Sequence, residues 1–367
     1  MVQVFLAWII APGLSGAFGA IIFLMTKYGV MLRKNPVWKA FFLVPVYFGI
    51  TACLLTMLLL WKGGSYTITL TDAEIAGTIV GVGAAWALVI AFFLNPWLYR
   101  VVIEDDWKLR WWHIPMGPLL LRRGEVPVRP EDVEVVKDFY AGHLTKEELD
   151  ARRAAQRGDV EIAAGLENGE KKAASDTSDA GDHDQPRAPV KKLVGPKPEG
   201  AWYTGSVFFW YVKWALLRGV DQDVVNMQNK RSVLSGDVEE IHAHAAHYNN
   251  KAEYMYSFLQ VMTAATASFT HGANDISNAI GPYATVFQIW NDGRLPENGK
   301  SEVPLWILAF GGAMLVIGLW TYGYNIMKNL GNRITLHSPS RGFSMELGSA
   351  VTVILATRLS KFWQGLF

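Results

Sequence analysis

The sequence predicts an all-α, polytopic membrane protein. Of its 367 residues, 51% are hydrophobic and only 18% are charged, whereas about a quarter of the residues of an average soluble domain are charged. The deficit comes from several apolar stretches that reach the roughly 20 residues a helix needs to cross a bilayer. We therefore expect about six transmembrane helices in a lipid bilayer. A net charge of +1 gives no reason to expect nucleic acid as a partner.

The first membrane segment, residues 1–99, is predicted to hold three helices. The apolar runs extend from about Val2 to Met25, from about Ala40 to Leu60 and from about Glu74 to Tyr99. The first run lacks the positive n-region of a secretory signal, is too long for one and is followed by a basic flank. We therefore expect it to span the membrane.

The composition changes between residues 100 and 200, which we expect to form a long loop. Its first part, WKLRWWHIPMGPLLLRRG, is aromatic and basic and indicates anchoring at a membrane surface rather than nucleic-acid binding. From about residue 141 to 197 the chain mixes charges with Ser, Gly and Pro and has almost no aromatic residues. Such a composition cannot bury enough apolar area to offset the entropy of folding, which predicts a largely disordered linker.

Residues 201–253 are expected to form two further helices. WYTGSVFFWYVKWALLRGV is apolar and aromatic but contains Lys213 and Arg218, so an interfacial helix is favoured and a spanning helix stays open. VEEIHAHAAHYNNKAEY is predicted to be a polar helix that leads into the membrane. Its histidines, His242, His244 and His247, do not share one helix face and have no cysteine partners, which argues against a metal site.

The second membrane segment, residues 254–367, is again predicted to hold three spanning helices. They extend from about Tyr254 to Trp290, from about Val303 to Met327 and from about Phe343 to Leu359. The first is longer than one simple crossing, and Gly281-Pro282 within it is expected to kink or break the helix.

Basic residues in the short loops predict the orientation. TKYGVMLRKNPVWK is rich in Lys and Arg, whereas WKGGSYTITLTD has only Lys62. The positive-inside rule places the first of these loops in the cytoplasm. Alternating from there, the amino terminus lies outside and the long loop is cytoplasmic.

The segment HGANDISNAIGP, from His271 to Pro282, places polar side chains inside a predicted span. On a helix, His271, Asn274, Asp275 and Asn278 fall on one narrow face. An unpaired aspartate against hydrocarbon costs several kcal/mol, so this face must meet protein, water or an ion. Carboxylate and amide oxygens suit a hard cation such as Na⁺, or a protonatable site. The alternative is that these groups only hold helices together, with Asp275 paired to a basic side chain.

A second polar cluster lies in HSPSRGFSMELGSAVTVILATR. Ser340, Arg341 and Ser344 precede an apolar run that contains Glu346, about one turn into the membrane. The cost of burying a charge again predicts an ion or substrate path, with an intramembrane ion pair as the alternative. The planar fork of Arg341 suits an oxyanion such as phosphate or sulfate, although the residue can equally mark the cytoplasmic end of the span.

No motif of a familiar hydrolase is present. The sequence contains neither a Gly-x-Ser-x-Gly elbow nor a His-Glu-x-x-His helix. This argues against a familiar hydrolase. We expect a protein that is not an enzyme and that needs no cofactor.

These residues carry a resemblance to a known family. GANDISNAIGP resembles the signature of the inorganic phosphate transporter (PiT) family, and SPSRGFSMELGSA is similar to the family segment in which an acidic residue follows Gly-Phe-Ser/Thr. The linker followed by LLRGVDQDV is most similar to fungal sodium-phosphate symporters. The resemblance implies an inverted-repeat transporter fold, whose two halves each bring an Asn-Asp signature and a Ser/Thr-rich re-entrant hairpin to a mid-membrane site.

The resemblance also implies roles for residues. Asn274, Asp275 and Asn278 are expected to bind the cation or phosphate. If the cation is Na⁺, we expect it at Asp275. Glu346 is expected to be a coupling residue, and the expected coupling or substrate path is completed by Ser340, Arg341 and Ser344.

The implied function is symport of inorganic phosphate with Na⁺ by alternating access, at the plasma membrane. Coupling to H⁺, and a non-transporting fragment or regulatory partner of an intact carrier, are the alternatives. The formation of an oligomer is left open. The first signature and both hairpins of a full-length member are not found, so the chain is expected to be partial, with the end of the first half, the loop and most of the second half.

Overall fold

A computed structural model of the chain describes residues 2–62, 70–126, 128–130, 133–141, 143–155, 194–200, 203–217, 238–295, 301, 303–323, 326 and 335–366. Within these ranges the regular elements are helices and there is no strand, which confirms the predicted all-α class. The chain divides into two compact units. The membrane unit comprises Met1–Phe139, His247–Asn329 and His337–Phe367, and the loop unit comprises Tyr140–Ala246 and Leu330–Leu336.

The membrane unit begins with three long helices, α1 (Val2–Thr26), α2 (Pro36–Lys62) and α3 (Asp72–Leu98). A π turn extends α1 over Lys27–Met31, and another extends α3 over Tyr99–Ile103. A capping box starts α3, because the Thr71 hydroxyl accepts the backbone N–H of Glu74 and the Glu74 carboxylate accepts that of Thr71. The three helices match the three spans predicted for this segment.

After α3 the chain forms 3₁₀ turns over Trp111–Arg122. The loop unit then contains α4 (residues 146–155), α5 (Gly205–Leu216) and α6 (Val238–Ala243). The prediction of disorder from about residue 141 is wrong for α4. Thr145 and Glu148 form a capping box that starts this helix. Residues 156–193 of the predicted linker lie outside the described part of the chain.

The helix α5 has 12 residues, fewer than the roughly 20 that a bilayer crossing takes. Its placement in the membrane interface stays a prediction.

The polar helix predicted to lead into the membrane is interrupted. Its first part, α6, ends at Ala243, and residues 244–249 are not helical. The next helix starts anew because the side-chain oxygen of Asn249 accepts the backbone N–H groups of Lys251 and Ala252. This N-cap satisfies donors that would otherwise be orphaned at a helix start.

The second part of the membrane unit contains α7 (Asn250–Asp292), α8 (Leu305–Gly318, extended by a π turn over Leu319–Gly323) and α9 (Pro339–Leu366). Gly281-Pro282 does not break α7, which continues to Asp292 and ends where Gly293 adopts φ 63°. The alternative of a break there is wrong, and the alternative of a kink stays a prediction.

Four of the described helices are long and apolar enough to cross a membrane: Ile9–Met31, Pro36–Leu60, Asp72–Ile103 and Leu305–Gly323. This confirms a polytopic membrane protein. The other two predicted spans lie on α7 and α9, which are long but are not among these four.

Close backbone contacts join two pairs of helices in the membrane unit. Gly49 of α2 faces Gly83 of α3, and a side chain on Gly49 would lie 2.9 Å from the Gly83 carbonyl oxygen. Gly348 of α9 faces Gly19 of α1, where a Cβ atom would lie 2.5 Å from the Gly19 nitrogen. Small residues let the backbones of membrane helices approach in this way.

Aromatic rings join α2, α7 and α9. The ring of Phe343 lies 5.0 Å from that of Tyr47 and 5.6 Å from that of Tyr256, between ring centroids. Tyr256 and Phe343 are fully buried, so this cluster packs α7 against α9 and α2.

Candidate functional site

The candidate site is the α7–α9 interface, where the two polar clusters predicted from the sequence lie on neighbouring helices. At the start of both helices, the fully buried carboxylate of Glu253 accepts two hydrogen bonds from Ser340. The backbone N–H and the hydroxyl of Ser340 each lie 2.8 Å from a Glu253 oxygen. A negative charge at the first turn of α9 is favourable because that end of a helix carries unpaired N–H groups and a positive partial charge.

The next contact joins Gln260 to His337. Their side-chain nitrogens Nε2 lie 3.0 Å apart, and because an amide nitrogen only donates, the imidazole nitrogen accepts. Burial lowers the pKa of His337, and the nearby Arg341 lowers it further. A neutral imidazole is the form that keeps a lone pair for Gln260. A side chain on Gly342 would overlap Gln260, so glycine permits this contact.

Glu346 lies six residues further along α9 than Ser340, and its side chain reaches α7. Its Oε2 atom accepts a hydrogen bond of 2.6 Å from the hydroxyl of Thr263. Thr263 is fully buried and its oxygen also lies 3.2 Å from the Leu259 carbonyl. The carboxylate predicted to be a coupling residue is therefore held by a hydroxyl of the helix that carries the Asn-Asp segment.

His271, the first residue of HGANDISNAIGP, makes the described hydrogen bond between α7 and α9 that lies furthest along the two helices. Its Nδ1 atom lies 2.8 Å from the Ala267 carbonyl, and its Nε2 atom lies 3.5 Å from the Ser349 hydroxyl. Asn274, Asp275 and Asn278 follow on α7 within the next two turns, and their side chains lie outside the described part of the structure. The roles predicted for these three residues stay predictions.

The remaining predicted residues lie at the start of α9. Ser340 and Ser344 are buried, and the Ser344 hydroxyl donates to the Ser340 carbonyl at 2.8 Å. The guanidinium of Arg341 lies over the Tyr248 ring, 5.4 Å from its centroid, and 3.4 Å from the Ser338 hydroxyl. Burial raises the pKa of the Tyr248 phenol and Arg341 opposes that rise. The structure thus brings Ser340 and Glu346 to one interface with α7 and places Arg341 at its end.

Sequence reasoning missed Thr263 and Glu253 as members of this interface. Both share a helix face with Gln260, since residues three or seven positions apart on a helix point the same way. Extending the polar face of HGANDISNAIGP back to the start of α7 finds both. Their partners on α9 are more than 80 positions away, at residues 346 and 340, and no local pattern pairs them.

Four helices that are apolar enough to span a membrane, together with two long helices whose interface carries carboxylate, amide, imidazole and hydroxyl groups, define a class, the polytopic integral membrane proteins. Within that class, the chain matches the Phosphate transporter family over residues 1–361 and belongs to it. This confirms the resemblance inferred from the Asn-Asp segment. The family is one of transporters rather than enzymes.

The chain is 69% identical to the phosphate-repressible phosphate permease pho-4 of Neurospora crassa, over 98% of this chain and 64% of that protein. It is 37% identical to the sodium-dependent phosphate transporter 1-A of Xenopus laevis, over 37% of this chain and 19% of that protein. A solved structure, "The sodium-dependent phosphate transporter", matches 98% of this chain and 52% of its own length at 17% identity and a TM-score of 0.46. The chain spans less than two thirds of the length of these relatives.

Proposed function

We propose that the protein transports inorganic phosphate together with Na⁺ by alternating access. Its membership of the family supports phosphate as the solute. The observation that carries the proposal is the hydrogen bond between Glu346 and Thr263, because it links a half-buried carboxylate on α9 to the helix of the Asn-Asp segment. Ionisable groups inside membrane segments are costly and are kept where an ion or proton passes.

In this proposal Asp275 binds the cation, with Asn274 and Asn278 supplying further oxygen ligands to the cation or hydrogen bonds to phosphate. The positive charge of Na⁺ lowers the cost of bringing the phosphate anion into the membrane. Glu346 senses the loaded site through Thr263 and the α7–α9 interface. Ser340, Ser344 and Arg341 lie along the path that the solute takes to one side of the membrane.

The proposed setting is the plasma membrane, with the amino terminus outside and the long loop in the cytoplasm. The charge bias of the short loops supports this orientation. Protease sites inserted at residue 128 and within residues 156–193 should be cut only from the cytoplasmic side. Cleavage of intact cells from outside would contradict the orientation.

The test of transport is uptake of radiolabelled phosphate into proteoliposomes that contain the purified chain. We expect uptake with an inward Na⁺ gradient and little with K⁺ in its place. Asp275→Asn and Glu346→Gln should each remove most of this uptake. Asp292→Asn is the matched control, since Asp292 lies on the same helix with an exposed side chain and its loss should leave uptake unchanged.

The other outcomes separate the alternatives. Uptake that follows a proton gradient and ignores Na⁺ would replace Na⁺ by H⁺ as the coupled ion. Uptake that survives both Asp275→Asn and Asn278→Ala would contradict the site assignment. Absence of uptake, together with co-purification of an intact phosphate carrier from cells, would favour the regulatory alternative.

A further inference from the structure

Residues 107–123, here called the basic aromatic hairpin, double back along α3 instead of leaving it. The Trp97 indole donates to the Arg110 carbonyl at 3.0 Å, and Nε of Arg100 donates to the Leu120 carbonyl at 2.9 Å. Between these two points Gly117 reaches Phe92, where a Cβ atom would lie 3.0 Å from the Phe92 carbonyl oxygen. With a rise of 1.5 Å per residue, Phe92 lies roughly 12 Å deeper along α3 than Arg100.

The tip of the hairpin is built to turn at that depth. Gly117 has φ 51° and ψ −129°, a conformation that favours glycine, and it lies between Pro115 and Pro118. Gly117 and Leu120 are buried, so one side of the hairpin packs on α3. Because α3 with its π turn, Asp72–Ile103, is one of the helices apolar enough to span a membrane, the tip lies beside a spanning segment.

The other side of the hairpin presents large apolar side chains outward. Trp111 is 71% exposed, Trp112 57% and Leu119 61%. Together with Met116 and Leu121 they form an apolar surface at the level of the last turns of α3. Contiguous apolar surface of this kind marks contact with a membrane or a partner, and Trp is enriched where headgroups meet hydrocarbon.

The two ends of the hairpin carry positive charge at the level of Trp97 and Arg100. The three acidic side chains that directly precede the hairpin are already paired: Glu104 with Arg100, Asp105 with Lys251 and Asp106 with Arg123. Lys108, Arg110 and Arg122 are exposed, and no acidic side chain of the described residues lies within salt-bridge distance of them. Basic residues at this position are suited to anionic headgroups.

A cleft beside the hairpin adds room for a lipid. It measures about 560 Å³ and is lined by residues from α2, from α3 and its π turn, and from the hairpin, among them the polar residues Asn95 and Glu104. Phe41, Ala91 and Tyr99 are among its lining residues. The apolar part of this lining suits an acyl chain.

We propose that the basic aromatic hairpin is a re-entrant lipid anchor that binds anionic phospholipid. Trp111, Trp112 and Leu119 enter one leaflet beside α3, while Lys108, Arg110 and Arg122 contact the headgroups. The bilayer is favoured over a protein or nucleic-acid partner because the hairpin is continuous with a spanning helix, its exposed apolar side chains face away from that helix, and its exposed basic residues lie at the two ends of the hairpin. This inference does not depend on which solute the protein transports.

The first test measures depth with a nitroxide spin label on the full chain in lipid nanodiscs. Cys53 is the single cysteine, so Cys53→Ala provides the background and Leu119→Cys and Val128→Cys carry the label. Val128 is 94% exposed and lies outside the hairpin. We expect a label at 119 to collide with oxygen far more than with a water-soluble nickel chelate, and a label at 128 to do the reverse. Equal access of the chelate to both positions would overturn the proposal.

The second test measures binding of the headgroup. The thermal unfolding midpoint in nanodiscs should be higher with phosphatidylserine than with phosphatidylcholine alone. Lys108→Gln/Arg110→Gln/Arg122→Gln should remove most of that difference, whereas Arg129→Gln/Lys137→Gln/Lys146→Gln, which loses the same charge at exposed positions outside the hairpin, should keep it. Equal losses in the two variants would show only a net-charge effect and would overturn the headgroup assignment.

A further control separates lipid from transported solute. Inorganic phosphate in phosphatidylcholine nanodiscs should not reproduce the difference in unfolding midpoint that depends on the hairpin. Binding of RNA or of a soluble protein that depends on the three basic residues, without any lipid effect, would also overturn the headgroup assignment.

Discussion

The Thr263 hydroxyl and the Glu346 carboxylate form the shortest described side-chain contact between α7 and α9, at 2.6 Å. Thr263→Val keeps the shape of the side chain and removes the donor, and a hydrogen bond to a charged group contributes roughly 1.5 to 3 kcal/mol. We expect a lower unfolding midpoint and weaker phosphate uptake, measured in parallel on purified and reconstituted protein. Thr266→Val is the control, since the Thr266 hydroxyl is buried and bonds only to its own helix at Met262. Equal effects of the two substitutions would contradict a specific role for the contact.

The pair Glu253 and Ser340 is expected to stabilise the packing of α7 against α9. Glu253→Gln removes the charge that accepts two hydrogen bonds at the start of α9, and Ser340→Ala removes one donor. Residues in direct contact show coupling free energies of about 0.5 to 3 kcal/mol in a double-mutant cycle. Denaturant unfolding of the two single variants and the double variant measures this coupling. Additive losses would mean that the contact does not hold the two helices together.

The partly buried His337 predicts how stability changes with pH. Its pKa in the folded protein lies below the ordinary value, so below about pH 6.5 the unfolded chain binds a proton that the folded chain does not. Stability at this site is therefore full above that pH and falls as the solution becomes more acidic. His337→Gln should flatten the fall in unfolding midpoint between pH 7 and pH 5, whereas His244→Gln, at an exposed position, should leave it as in the parent. A parent midpoint that rises toward pH 5 would contradict the sign.

At the scale of single residues, the sequence predicts which polar groups lie in the membrane and leaves their partners undetermined. The cost of burying a carboxylate marks Glu346 as a residue that needs a partner. The sequence does not indicate that Thr263 needs a partner, because a threonine hydroxyl in a helix can form a hydrogen bond to the backbone of that helix. Glu253 looks like part of a solvated polar helix, and only the packing of α9 on α7 buries it.

At the scale of helices, the contact between α1 and α9 depends on two glycines. A side chain on Gly348 would lie 2.5 Å from the nitrogen and 2.6 Å from the Cα atom of Gly19. Because backbone cannot move aside cheaply, Gly348→Ala should cost about 1 to 3 kcal/mol through overpacking. Gly16→Ala is the matched control on α1, with nothing within 4 Å of the new atom, and should be neutral or slightly stabilising. Unfolding midpoints in detergent check both, and a neutral Gly348→Ala would contradict the close contact.

Helix boundaries divide into those the sequence predicts well and those it does not. Apolar runs predict α1, α2 and α3 because each coincides with one spanning helix. The ends of α7 are harder to predict. The helix starts after Asn249 because that side chain caps it, whereas Pro282 does not end it. The helix at residues 146–155 escapes a prediction from composition because its start depends on one pair, Thr145 and Glu148.

At the scale of the whole molecule, the outward apolar faces of the spanning helices imply a lipid environment. Leu88 lies near the centre of α3 and is 70% exposed. Arginine at the centre of a spanning helix costs about 2.5 to 3.5 kcal/mol on insertion, so Leu88→Arg should lower the yield of folded protein in membranes. Val128→Arg places the same charge at a more exposed position outside the span and should be silent. Equal yields, measured by size-exclusion chromatography of a fluorescent fusion, would contradict the lipid-facing assignment.

The overall class could be predicted from the sequence because a lipid environment requires long apolar helices, and these are visible in the composition and in the apolar runs. The family could be recognised because one short segment combines Asn, Asp and Gly in a fixed order. The arrangement of helices in space could not, since contacts such as Gly19 with Gly348 join residues from opposite ends of the chain. Nothing local in either segment specifies that pairing.

The uninterrupted course of α7 through Pro282 has a consequence for its backbone. Proline has no N–H group, so the helix cannot supply the usual partner of the carbonyl oxygen of Asn278, four residues earlier. An acceptor with partial negative charge is thereby left one turn from Asp275, on a helix that the sequence predicts to span the membrane. Water, a donor side chain or a metal cation must solvate it, so the continuity of the helix creates a local deficit of hydrogen-bond donors beside the aspartate.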